Sequence, residues 1–100
     1  MNVTSIPDTT PVTDQDEAVR NMVDFLSRTS HALALGGFSD VLTPFQAECL
    51  DLTLWSLVMA LSTRPDEALP EAEKLAALLK DQNYPAVYDY CLNINLWWGV

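Results

Sequence analysis

The chain has 100 residues, 49% of them hydrophobic, with fourteen Asp and Glu against five Lys and Arg for a net charge of −9. That length fits one domain with a modest core, and the hydrophobic content excludes extended disorder beyond a terminal tail. A surface so negative repels phosphate backbones, so direct nucleic-acid binding is not expected, whereas a basic patch on another protein would be attracted.

Residues 1–12, MNVTSIPDTTPV, hold two prolines and no periodicity and read as a flexible tail before a single helical domain at 13–100. They have neither a basic start nor an apolar run, so no signal peptide is expected. Thr13 then caps a first helix whose opening carries Asp14, Asp16 and Glu17 beside the positive end of the helix dipole. Val19, Met22, Val23, Leu26 and Leu33 recur at three- and four-residue steps, and Gly36-Gly37 ends the helix near Leu35. Phe38, Val41 and Leu42 then plug the gap to the second helix.

That second helix, Pro44 to about Thr63, is the centre of the chain. Thr43 and Gln46 have capping-box spacing, and Pro44 sits at the first helical position. Its apolar residues cover so much of the circumference that it must be enclosed on more than one side. Leu50, Leu54, Leu57, Val58 and Leu61 form the core face. Glu48, Asp51, Trp55 and Ser62 fall on another side, with Leu52 and Met59 alongside. An aromatic among carboxylates, bordered by methionine, has the make-up of a protein-binding spot. The competing reading tucks Trp55 under helix 3 or 4, and the sequence leaves the two open. Polar and charged interruptions (Gln46, Glu48, Asp51, Thr53, Ser56) argue against a membrane span.

Arg64-Pro65-Asp66-Glu67 reads as a break and Pro70 as the restart of a third helix, to about Gln82, packed through Ala72, Leu75, Ala76, Leu78 and Leu79. Asn83-Tyr84-Pro85 is the last break. Val87, Tyr90, Cys91, Ile94, Trp97 and Trp98 keep helical spacing, while Leu92 to Leu96 also alternates like a strand. A lone strand has no partner, so helix is preferred. Adjacent indoles point about 100° apart on a helix, which leaves one of Trp97 and Trp98 exposed or at an oligomer seam; Trp98 joins the candidate site. The expected fold is all-α: a compact antiparallel four-helix domain in which helix 2 touches all the others.

No catalytic, metal or nucleotide motif accompanies these helices. His31 has no carboxylate three or four residues away to orient it, and Cys49 and Cys91 lack metal-ligand or CxxC spacing. The expectation is no enzyme, no cofactor and no metal, with both cysteines reduced and buried.

With the acidic start Asp14-Gln15-Asp16-Glu17 and the Glu48/Asp51/Trp55 grouping, the chain resembles in general character the small phage-encoded anti-CRISPR proteins. The resemblance implies a stoichiometric inhibitor in the cytoplasm of a bacterial host cell. Its partner would be a protein or ribonucleoprotein complex, such as a type I surveillance complex, whose basic DNA-receiving surface meets Asp14, Asp16, Glu17, Glu48, Asp51, Trp55, Met59 and Trp98. Two other classes stay open: an anti-activator or immunity protein sequestering one regulator or toxin, and a structural homodimer closing through the Trp97/Trp98 end. The chain is expected to be a monomer or a homodimer.

Overall fold

A computed structural model describes residues 14–94. It contains four helices: α1 (Asp14–Ala34), α2 (Pro44–Thr63), α3 (Pro65–Lys80) and α4 (Tyr84–Asn93), with no strand among the described residues. Residues 90–93, where helix and strand competed, are helical, and Ile94 leaves the helix in an extended conformation.

Local chemistry sets the boundaries. At the start of α2 both halves of the capping box form: Gln46 N–H donates to Thr43 Oγ1 at 3.1 Å and Thr43 N–H donates to Gln46 Oε1 at 2.9 Å. α1 ends in a Schellman turn. Gly36, at φ +79°, donates to Leu33 O at 3.0 Å, and Gly37 donates to Ala32 O at 2.8 Å. The two glycines serve different needs. Gly36 supplies the left-handed backbone, while a Cβ on Gly37 would lie 3.1 Å from Ala32 O. The same turn closes α3 without glycine: Gln82 takes φ 57°, Gln82 N–H reaches Leu79 O and Asn83 N–H reaches Leu78 O. Asn83 then caps α4 by accepting from Ala86 N–H.

The start of α3 departs from the sequence expectation. Pro65, not Pro70, is its first residue, and only Arg64 separates it from α2. Arg64 N–H donates to Ala60 O, closing α2, while its carbonyl accepts from Glu67 and Ala68, opening α3. Pro70 lies inside the helix, where it removes the bond that a residue there would make to Asp66 O. Both residues are exposed, so water can meet that carbonyl. The gain from this extra length is a close approach: Ala68, fully buried, joins Ala72, Leu75 and Leu79 in the core.

α2 packs against α1, α3 and α4, and α3 likewise meets all the others, while α1 and α4 make no close approach to each other. α2 and α3 thus form the middle of the bundle, with α1 and α4 on its flanks. Leu50, Leu54, Leu57 and Leu61 line the buried face of α2 as expected, with Val58 half-buried beside them. They meet Leu26 of α1, Leu75 of α3 and Val87 of α4 in one continuous cluster. Three polar or aromatic contacts tie the flanks in. Lys80 Nζ sits 5.4 Å over the Phe25 ring, joining α3 to α1. The Tyr90 hydroxyl lies 3.0 Å from both the carbonyl and Oε1 of Glu71, joining α4 to α3. Phe38, in the α1–α2 connector, meets Tyr84 edge to face with ring centroids 6.0 Å apart.

Candidate partner-binding face

Because α1 and α4 flank α2 without meeting, one side of α2 has no neighbour among the described residues. At 100° per residue, Phe45, Glu48, Leu52, Trp55 and Met59 fall within one narrow sector opposite Leu50, Leu54, Leu57 and Leu61. All five are exposed: Phe45, Leu52 and Met59 at 63% each, and Trp55 at 48%. The stripe runs about 21 Å along the helix axis. Trp55 is therefore a surface residue and is not tucked under α3 or α4.

The neighbouring positions mark the edges. Asp51 is half-buried and turned toward α1, where its Oδ1 accepts a 2.6 Å hydrogen bond from Ser30 Oγ. It borders the stripe and does not stand on it. Beside that bond a groove of about 510 Å³ opens between α1 and α2, lined by Leu33, Ala34, Pro44, Phe45, Ala47 and Glu48 as well as Ser30 and Asp51. On the opposite flank Tyr88 of α4 shares a cleft with Gln46 of α2. Leu92, one turn beyond Tyr88 on the same side of α4, is exposed. Cys91 and Thr53 seal the seam beneath: Cys91 is buried, Thr53 Oγ1 donates to Cys49 O at 3.0 Å, and both cysteines are free thiols. Burial pushes the Cys91 pKa up, with a Thr53 hydrogen bond opposing it. Cys49 is only half-buried, a departure from the expectation of two enclosed thiols.

Charge is distributed unevenly around this face. α2 and α4 carry Glu48, Asp51 and Asp89 and no Lys or Arg. Among the described residues the five cations lie on α1, on α3 or at Arg64 between α2 and α3. Arg28 pairs with Asp24, Lys74 with Glu71, and Lys80 with the Phe25 ring.

The acidic start of α1 lies against the start of α3. α1 passes α2 with Ser30 opposite Asp51, and its other end meets α3, where Gln15 Nε2 donates to Asp66 Oδ1. Asp14, Asp16 and Glu17, all exposed, are thereby brought beside Asp66 and Glu67 at the end of the bundle nearer Met59. The acidic group of α1 and the Trp55 stripe therefore lie on different helices, the first tied to α3 and the second on the open side of α2. Trp98 lies outside the described residues. Phe45 was missed in the sequence, although its seven-residue steps to Leu52 and Met59 mark the stripe as a line.

Among the described residues no group of three or more His, Cys, Asp or Glu is placed to hold a metal ion, and no helix is long and apolar enough to cross a membrane. Neither a protein-family model, nor a curated protein, nor a solved structure matches the chain.

Proposed function

We propose that the protein is a small acidic inhibitor that binds a basic, DNA-receiving surface of a protein or ribonucleoprotein complex and blocks DNA capture there, in the manner of anti-CRISPR proteins acting on a type I surveillance complex. The observation that carries this reading is the exposed line Phe45, Leu52, Trp55 and Met59 on a helix without a cation. Four large apolar side chains in a row leave on the order of 400 Å² uncovered, the size of patch that on a monomer is often functional. Tryptophan and methionine supply area and adaptability at its centre. The carboxylates at the α1 and α3 starts speed encounter with a cationic surface, and Glu48 sits where contact would occur.

The test is capture of target DNA by a purified type I surveillance complex while the protein is titrated in. Loss of DNA binding at a one-to-one ratio is the expected result. Reversing Asp14, Asp16 and Glu17 to Lys slows association, and added salt erases the difference. Undiminished DNA binding in excess protein would refute the reading. Sequestration of one transcription regulator or toxin would use the same face, and binding to such a protein as a single free chain, with no effect on assembled complexes, would favour it.

A further inference from the structure

We infer that the solvent face of α2 seats one cationic amphipathic helix of the partner, laid along Phe45, Leu52, Trp55 and Met59 as a fifth rod of the bundle. The inference rests on the protein-binding reading above and names the element bound. Spacing is the first argument. Phe45, Glu48, Leu52, Trp55 and Met59 succeed one another by three, four, three and four residues, the repeat by which one helix seats against another. The line is about 21 Å long, close to four turns of a facing helix.

Charge chooses the occupant. Glu48 stands in the line, Asp51 borders it on the α1 side, and neither α2 nor α4 carries a cation. A helix with an apolar stripe between Lys or Arg residues gains from both edges, whereas an acidic helix or an anionic lipid surface is repelled. A second copy would bring −9 against −9. Area agrees: on the order of 400 Å² suits a single helix, whereas a stable pair of proteins buries about 800 Å² on each side.

The direct probe is a labelled peptide of about 21 residues, three heptads with Leu at the a and d positions and Lys elsewhere. Its partners in the experiment are a scrambled peptide of the same composition and a Leu/Glu counterpart. The full chain should bind the amphipathic Leu/Lys peptide and neither of the others. Trp55→Lys combined with Met59→Lys should weaken binding by about tenfold or more, while Ala77→Lys, on the exposed side of α3, changes it by less than about twofold. Should the double variant fail to fold, Leu52→Lys alone carries the same expectation.

Equal affinity for the scrambled peptide would overturn the inference in favour of charge alone, and so would an unchanged Kd in the stripe variants. A wild-type dimer that the double variant dissolves would make a second copy the occupant. Binding that emerges only after residues 95–100 are removed would make the chain's own end the occupant. Failure of the DNA-capture test with peptide binding intact sinks only the inhibitory reading; the reverse outcome sinks only the helix.

Discussion

The two sides of α2 are built from almost the same residue types and have opposite surroundings. One side presents Leu50, Leu54, Leu57 and Leu61, each at most 2% exposed; the other presents Phe45, Leu52, Trp55 and Met59, all at least 48% exposed. Hydrophobicity therefore does not distinguish core from contact surface in this helix. Arrangement does: among the described residues α1, α3 and α4 enclose three sides, and the fourth stays open because α1 and α4 do not meet. The leucine side holds the fold together. The aromatic side adds less to folding, since about half or more of each side chain stays in water, and that exposed part is left for association.

Substitutions should separate the two sides. The largest effect belongs to Leu54→Ala, which leaves a cavity at the centre of the bundle and should lower the unfolding free energy by about 3 kcal/mol in urea titration. A loss under about 1 kcal/mol would mean that the leucine side is loosely packed.

Tyr90→Phe tests the tie that holds α4 to α3 and should cost about 1 kcal/mol near neutral pH. Burial, then the Glu71 hydrogen bond, pushes the Tyr90 pKa well above its usual value, so the folded protein keeps a proton that the unfolded chain releases near pH 10. Stability due to this group is complete below that pH and falls as pH rises beyond it. Tyr90→Phe should flatten that alkaline decline, and identical pH profiles would contradict the assignment.

Asp51→Ala sits at the boundary between the two sides. Loss of its Ser30 bond should cost about 1 kcal/mol by thermal or urea unfolding. Leu52→Lys, on the open side one residue further, should leave stability within about 0.5 kcal/mol of wild type.

How much of this could be read from the sequence depends on which forces are local. The cap of α2, the glycine stop of α1 and the leucine core face follow from chemistry within a few residues, and each was legible. The start of α3 was not. Pro65 and Pro70 both fit a first helical turn, and the helix that begins at Pro65 carries Ala68 into the core, a tertiary contact that local spacing does not show. Exposure of Trp55 was hidden for a similar reason. Apolar residues on two opposite sides of α2 give periodicity no reason to prefer one, and only the number and placement of its neighbours shows which side is bare. Asp51 looked like a member of the Trp55 group because the two lie one turn apart, but Ser30 of α1 draws it to the edge.

The most direct measurement is equilibrium unfolding of Trp55→Ala, followed by circular dichroism in urea. An indole that keeps 48% of its surface in water should cost no more than about 2 kcal/mol on truncation, clearly less than Leu54→Ala. A loss of about 3 kcal/mol or more, the cost of deleting a buried aromatic, would place Trp55 in the core and remove the open face on which the binding argument stands.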